Sequence, residues 1–179
     1  MTRALVVAAL AFVPMLIEAA RSRRNERVLR GRGAVEPAGD VYAWMQVAYP
    51  SCFAAITAEA LVRGEPPGRT LLFGAAVFAA AKALKYWAIT VLGERWTFRV
   101  LVLPGAPLIT RGPYRWLRHP NYVGVAGEII GTAIMAPAPL AGTISFIAFS
   151  GMMLARIRTE DRALHASEAP PQTVQAAPR

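Results

Sequence analysis

Residues 122–154, YVGVAGEIIGTAIMAPAPLAGTISFIAFSGMML, decide the fold of this chain. The stretch is apolar for more than thirty residues, which is too long for one crossing of a bilayer core of ~30 Å. Ala-Pro-Ala-Pro at 136–139 interrupts it, and prolines so placed break a helix. The sequence therefore predicts a helical hairpin, with two membrane helices over 121–135 and 139–155.

Three further apolar runs precede the hairpin. The run at 2–20 is long enough to cross a bilayer, and a cleaved signal peptide is the alternative interpretation. The runs at 41–62 and 70–92 are separated by the turn RGEPPGR at 63–69, in which two prolines and two glycines do not extend a helix. The predicted fold class is an all-α integral membrane protein with about five transmembrane helices.

The composition agrees with a single membrane domain over residues 1–165. Apolar residues make up 55 % of the 179 residues and charged residues 17 %, whereas soluble domains carry about 25 % charged residues. The single cysteine, Cys52, cannot form an internal disulfide, and two histidines leave little for a metal site. We therefore expect no metal. Residues 166–179, rich in Ala, Pro and Gln, are predicted to be a disordered tail.

The net charge of +9 is concentrated in two predicted loops. The loop at 21–40 holds six arginines within 21–32, and the loop at 93–120 holds five. In a five-span arrangement both loops lie on one side, which the positive-inside rule makes cytoplasmic. The predicted orientation therefore has both loops in the cytoplasm and the N-terminus outside. In so apolar a chain the charge indicates membrane lipids as partners and no nucleic acid.

Charged residues inside the predicted spans are costly in hydrocarbon and are functional candidates by default. Glu18, Lys82 and Lys85 lie near span ends, where their side chains can reach the interface. Glu59 falls inside the second span. Glu128 lies two turns into the hairpin and is our candidate for a residue of the acceptor cavity, with an inter-helix hydrogen bond as the alternative.

Chemistry-bearing residues concentrate at the two ends of the hairpin. RGPYRWLRHPNYVG at 111–124 supplies hydrogen-bond donors and aromatic rings at one end, and RIRTEDRAL at 156–164 supplies an arginine and two carboxylates at the other. A tight hairpin brings these ends together. A carboxylate that accepts ribose hydroxyls, beside donors and aromatic rings, predicts a cytoplasmic loop that binds a nucleoside cofactor. An interfacial belt and a solvated helix end are the alternatives.

The two motifs resemble the isoprenylcysteine carboxyl methyltransferase family, integral membrane enzymes that use S-adenosylmethionine. The family pattern G-P-Y-[RK]-x-x-R-H-P-x-Y-x-G is met at 112–124, and R-x-x-x-E-[ED]-x-x-L at 156–164. The resemblance covers about residues 70–165. Segments 25–36 and 87–106 are further similar to a small bacterial branch that accompanies type III polyketide synthases and O-methylates long-chain alkylpyrones.

The resemblance implies roles for individual residues. Glu160 matches a glutamate that holds the cofactor. Arg156 matches an arginine that faces the acceptor, where it would orient a carboxylate or enolate by charge-assisted hydrogen bonds. With Glu128, Arg156 forms our predicted catalytic pair. The other positions implied to bind S-adenosylmethionine are Pro107, Leu108, Ile109, Tyr114, His119, Pro120, Asn121 and Tyr122.

The expected function is S-adenosylmethionine-dependent O-methylation of a lipophilic acceptor, such as a prenylated carboxylate or an alkylpyrone. A phospholipid N-methyltransferase is one alternative. An NADPH-dependent sterol reductase shares the hairpin, but this chain is short and has Val-Ala after Gly124 where we expect an acidic residue. A small transporter or scaffold would use Lys82, Lys85 and Glu128 as a polar track. After Leu164 the chain departs from the segment that helps close the site in larger family members.

Overall fold

The computed structural model describes residues 2–64 and 67–168, and within these ranges the chain forms five α-helices and no strand. Short 3₁₀ turns lie in the long connection between the third and fourth helices. The all-helical prediction is confirmed, including the C-terminal hairpin. The helices are α1 (Thr2–Gly31), α2 (Tyr42–Arg63), α3 (Gly68–Leu92), α4 (Pro120–Met135) and α5 (Pro139–Glu168).

Three of these helical segments are long and apolar enough to cross a membrane, namely Ala4–Gly31, Gly68–Arg95 and Pro139–Ala166. The other two predicted spans are helical as well, but they do not reach this standard. α4 has 16 residues, about 24 Å at 1.5 Å per residue, which is shorter than a bilayer core of ~30 Å. α2 is longer, but polar side chains interrupt its apolar residues.

The predicted loop at 21–40 begins later than expected, because α1 continues to Gly31. The charged residues beyond the apolar run do not oppose a helix. The helix ends at Gly31. Two residues later Gly33 adopts a φ of 83°, a conformation that favours glycine. One face of α1 is buried along the whole helix, through Val7, Ala11, Glu18, Ser22, Asn25 and Leu29.

α2 and α5 run in opposite directions, and a polar contact joins them at each end. At one end the Glu59 carboxylate accepts hydrogen bonds from the first backbone N–H groups of α5, Leu140 (3.3 Å) and Ala141 (2.6 Å). These are donors that a helix leaves unpaired. At the other end Asp40, just before α2, accepts a hydrogen bond from Arg156 (3.3 Å). We call this second end, where α1 and α3 finish and α4 begins, the cavity end.

α5 joins the last predicted span and the charged segment beyond it into one helix that reaches Glu168. The first residues of the predicted tail, 166–168, are therefore helical. The remainder of that prediction, 169–179, lies outside the described residues.

Four buried charges hold α1, α3 and α4 together, and we call Glu18, Lys82, Lys85 and Glu128 the charge cluster. Lys85 Nζ lies 2.6 Å from Glu18 and 3.3 Å from Glu128. Lys82 Nζ lies 3.0 Å and 3.1 Å from the same two carboxylates. Tyr49 of α2 donates a hydrogen bond to Glu128. The prediction that Glu18 and the two lysines reach the interface is wrong, because all three are buried in these ion pairs.

α3 and α4 approach closely because glycines lie at their contact. A Cβ atom on Gly131 would lie 2.6 Å from the backbone nitrogen of Phe78, and one on Gly74 would lie 2.5 Å from that of Met135. Both distances are shorter than side-chain atoms tolerate, so the backbones can be this close only without a side chain. Small residues at such crossings are typical of packing between membrane helices.

We predict that Gly131→Ala destabilises the protein, by about 1–3 kcal/mol as for overpacked cores. Gly151→Ala is the matched control, because an added Cβ there meets nothing within 4 Å and alanine favours a helix by up to about 1 kcal/mol. Thermal unfolding in detergent should show a lower Tm for the first variant and an equal or higher Tm for the second. Equal Tm values for both variants would contradict the close contact.

Candidate functional site

A cavity of about 310 Å³ lies at the cavity end of the helices. The start of α4 and the end of α5 form its polar wall, and the connection between α3 and α4 forms its apolar wall, mainly through residues 100–109. Nine of the eleven predicted site residues line it: Pro107, Leu108, Ile109, Tyr114, His119, Asn121, Tyr122, Arg156 and Glu160. The hairpin therefore brings its two motifs to one place, and ligand binding by them stays a prediction.

The other two predicted residues are not among those that line the cavity. Pro120 is buried in the first turn of α4, a position where its missing N–H costs nothing. It also keeps His119 out of helical conformation (φ −129°, ψ 62°). Glu128 is 1 % exposed, because its side of α4 faces the two lysines of α3 in the charge cluster. The structure therefore does not support its predicted place in an acceptor cavity.

Two carboxylates at the end of α5 orient two rings at the start of α4. His119 Nε2 lies 3.1 Å from Asp161 Oδ1, and because a carboxylate only accepts, Nε2 carries the proton. The Tyr122 hydroxyl donates to Glu160 Oε2 at 2.9 Å. The His119 and Tyr122 ring centroids are 5.6 Å apart. The polar wall thus presents two fixed aromatic faces beside two acidic groups.

Tyr114 and Asn121 add polar groups to the same cavity. Burial, and then the charge of Glu160, raise the pKa of the Tyr114 hydroxyl well above its usual range. The hydroxyl is therefore protonated at neutral pH and serves as a donor. Asn121 Oδ1 accepts a hydrogen bond from the indole N–H of Trp96 (3.3 Å), and this contact orients its amide.

Arg156 lies at the edge of the cavity but is only 5 % exposed. Its Nε donates to the Tyr122 hydroxyl at 2.9 Å, its Nη1 to Asp40 Oδ1 at 3.3 Å, and its Nη2 to the carbonyl oxygen of Phe98. All three guanidinium nitrogens are therefore engaged by the protein itself. These bonds use three of its five N–H donors, and the role of Arg156 in facing an acceptor stays a prediction.

The end of α1 supports the connection that forms the apolar wall. The Asn25 amide donates hydrogen bonds to the carbonyl oxygens of Gly93 (3.1 Å) and Trp96 (2.7 Å). The Ser22 hydroxyl accepts one from the backbone N–H of Phe98 (2.7 Å). These contacts fix the path of the connection just before its apolar segment.

Two further contacts hold that segment. Val35 and Val102 form an isolated antiparallel bridge, with N···O distances of 2.8 and 3.0 Å. The Arg95 guanidinium donates to the carbonyl oxygen of Pro107 at 2.6 Å. The wall is therefore built from both loops that the sequence identifies as basic.

Several residues that build or support the cavity are absent from the predicted site residues. Asp161 is one of the two carboxylates that the sequence places at this end of the hairpin, but no role of its own is predicted for it. The sequence gives a weaker indication for Ser22 and Asn25, since they continue the helical spacing of the buried face of α1. No local pattern indicates a role for Asp40 or Trp96, because their partners are distant in sequence.

Comparison with known proteins identifies the family of this chain. The profile of the isoprenylcysteine carboxyl methyltransferase (ICMT) family matches residues 72–166, which is more than half of the chain and includes both motifs. This chain belongs to the ICMT family. Membership implies a methyltransferase of the membrane, in agreement with the apolar helices.

Two relatives extend the similarity beyond that region. A Bacillus subtilis protein, "Uncharacterized protein YpbQ", is 33 % identical over 156 residues, covering 87 % of this chain and 93 % of the relative. A Haemophilus influenzae protein, "Uncharacterized protein", is 24 % identical over 144 residues, covering 80 % and 84 %. No solved structure matches this chain. The α1 residues Ser22 and Asn25, which support the cavity, lie outside the matched region 72–166.

We predict a pH-dependent contribution from Glu36, which stabilises the loop beside the apolar wall. Burial raises the pKa of Glu36, but hydrogen bonds from Arg99 (2.7 Å) and Arg30 (2.5 Å) outweigh it, so the pKa is lowered from 4.5. A lowered folded-state pKa stabilises the fold above the unfolded pKa, and this contribution is lost as the pH falls through the folded-state value. Glu36→Gln should therefore lower the Tm at pH 7, and the difference from wild type should shrink below pH 4.5. A Tm difference that does not change with pH would contradict this.

Proposed function

We propose that this protein is an S-adenosylmethionine-dependent methyltransferase that acts at the membrane on a lipophilic acceptor. The acceptor atom in our proposal is a carboxylate, enol or phenol oxygen, as in an isoprenylcysteine-like carboxylate or an alkylpyrone. The observation that carries the proposal is the cavity at the cavity end, where both family motifs line one space beside an apolar wall.

The chemistry of the cavity fits this cofactor. Glu160 and Asp161 place negative charge at the polar wall, which attracts the cationic sulfonium and ammonium groups of S-adenosylmethionine. The rings of His119 and Tyr122 offer faces for a purine or a cation, and the Tyr114 hydroxyl offers a donor. In our proposal these residues hold the cofactor, together with Asn121 and with Pro107, Leu108 and Ile109 of the apolar wall. Pro120 contributes by keeping His119 out of helical conformation.

The volume of the cavity supports a division between cofactor and acceptor. At about 310 Å³ it lies at the lower end of the range for drug-sized ligands, roughly 300–1,000 Å³. It therefore has room for one such molecule and none for a long lipid chain as well. We propose that the acceptor chain lies among the membrane helices and that only its reacting oxygen reaches the cavity.

The residues of the chain would act mainly by positioning. S-Adenosylmethionine, when bound, supplies a methyl group that its sulfonium already activates. A carboxylate or pyrone enolate is ionised near pH 7, so the acceptor needs no strong base from the protein. The contribution of the cavity is then to align the two reactants and exclude water, and such alignment alone can provide about 7–11 kcal/mol of the barrier reduction.

We propose that the cavity faces the cytoplasm of a bacterial cell and that the N-terminus lies outside. The arginine-rich end of α1 and the arginine-rich connection between α3 and α4 both lie at the cavity end. Basic segments favour the cytoplasmic side, which is also where a soluble cofactor is available. With this placement the cofactor would enter from the cytoplasm and the lipid from among the membrane helices.

The transporter alternative finds no support in the arrangement of the charges. It requires Lys82, Lys85 and Glu128 to line a polar track, but these three are buried in ion pairs with one another and with Glu18. Phospholipid N-methylation shares the same cofactor and is separated from O-methylation by the acceptor assay. Methyl transfer to a phospholipid amine, and to no oxygen acceptor, would replace the proposed acceptor class.

We predict that purified protein in detergent binds S-adenosylmethionine and that two single substitutions weaken the binding. His119→Ala removes a ring of the polar wall, and Glu160→Gln removes its negative charge. Each should raise the Kd at least about tenfold, since hydrogen bonds to charged groups are worth about 1.5–3 kcal/mol. Calorimetric titration measures the Kd directly.

Matched substitutions outside the cavity serve as controls. His165→Ala removes an exposed histidine of α5, and Glu94→Gln removes an exposed carboxylate that pairs with Arg32 at the surface (2.7 Å). Both should bind like the wild type. Absence of S-adenosylmethionine binding to folded wild-type protein would contradict the proposal. If the control and cavity substitutions weakened the binding equally, the binding site would not lie in this cavity.

A further inference from the structure

Asp40 joins three separate segments at the cavity end, although it lies outside the family-matched region 72–166. Its side chain is 5 % exposed. Oδ1 accepts hydrogen bonds from the backbone N–H of Tyr42 (3.1 Å) and from Arg156 Nη1 (3.3 Å). Oδ2 accepts one from the backbone N–H of Val100 in the apolar wall (3.1 Å). One carboxylate thus connects the start of α2, the wall of the cavity and α5.

The Asp40 carboxylate also compensates the charge of Arg156. Both side chains are almost completely buried, at 5 % and 6 % exposure. A buried guanidinium that loses its carboxylate partner is left uncompensated in a medium of low dielectric, which is strongly unfavourable. Asp40 and the Phe98 carbonyl accept hydrogen bonds from different nitrogens of the planar Arg156 guanidinium, and together they fix its orientation. In this orientation Nε donates to the Tyr122 hydroxyl.

The orientation of Arg156 decides where the proton of Tyr122 goes. The Tyr122 oxygen accepts the Nε–H of Arg156 at 2.9 Å. Because an arginine cannot accept a hydrogen bond, the hydroxyl proton must be donated elsewhere, and it is donated to Glu160 Oε2 at 2.9 Å. The four residues therefore form a directed chain in which Asp40 holds Arg156, Arg156 orients Tyr122, and Tyr122 holds Glu160.

We infer that Asp40 is a positioning residue for the cavity, which sets the orientation of the Glu160 carboxylate through Arg156 and Tyr122. The inference rests on the proposed function, in which Glu160 binds the cofactor. It also assigns Arg156 to this chain of contacts, in which three of its five N–H donors take part. Arg156 is then a positioning residue as well.

The alternative is that Asp40 only holds the fold together, and non-additivity separates the two roles. If Asp40 acts through Glu160, its removal should have no further effect on cofactor affinity once the Glu160 charge is gone. If Asp40 only holds the fold together, its removal should either leave the affinity unchanged or lower it to the same extent in both backgrounds. A thermal unfolding measurement alone would not distinguish these roles, so the affinity must be measured.

The experiment is a double-mutant cycle for S-adenosylmethionine binding, measured by calorimetry on full-length protein in detergent. Its members are the wild type, Asp40→Asn, Glu160→Gln and the double variant. Asp40→Asn should raise the Kd about tenfold in the wild-type background and leave it unchanged in the Glu160→Gln background. Glu59→Gln, which removes a carboxylate that joins α2 and α5 at the end opposite the cavity, should bind like the wild type.

Each outcome bears on a different claim. Failure of folded wild type to bind contradicts the proposed function itself. If the wild type binds but Asp40→Asn binds equally well, or if its effect persists undiminished with Glu160→Gln, the inference about Asp40 is overturned while the proposed function stands. Where Asp40→Asn does not fold, Arg156→Lys takes its place in the cycle, because lysine keeps the charge but cannot reach three partners. The same non-additivity is expected, and additive effects would overturn the inference.

Discussion

The pairing of buried charges in the charge cluster is the constraint on which the rest of the structure depends. An unpaired charge in a medium of low dielectric is strongly unfavourable, and removing one partner of a buried pair typically costs about 3–5 kcal/mol. Glu18 of α1 and Glu128 of α4 must therefore both lie against Lys82 and Lys85 of α3. This requirement selects one register of the helices, and the glycine contacts between α3 and α4 then allow the backbones to come close enough.

The same register places the cavity. Glu18, Ser22 and Asn25 are separated by four and three residues, so they lie on one face of α1. When Glu18 is paired with the lysines of α3, this face carries Ser22 and Asn25 to the connection that follows α3, where they bind its backbone. The apolar wall then lies opposite the polar wall at the ends of the hairpin. A cluster inside the bundle and a cavity at its end are thus parts of one arrangement.

The sequence predicts what depends on neighbouring residues and misses what depends on distant ones. The prolines at 136–139 predict the hairpin, and the hairpin predicts that the two motifs meet, so nine of the eleven predicted site residues line the cavity. The end of α1 is misplaced because polarity indicated a loop where no residue before Gly31 breaks a helix. The pairing of Lys85 with Glu18 spans 67 residues, and Arg156 with Asp40 spans 116. Helix packing, which local patterns do not encode, decides both.

The central claim is that the cavity between the two hairpin motifs holds the cofactor of an ICMT-family methyltransferase. The most direct measurement is ultraviolet cross-linking of methyl-labelled S-adenosylmethionine to the folded protein, followed by mapping of the labelled peptides. We predict that the label lies in 95–122 and 156–164, the segments that contribute most of the cavity lining, and that excess unlabelled S-adenosylhomocysteine removes it. Label confined to other segments, or label that the competitor does not displace, would contradict the account.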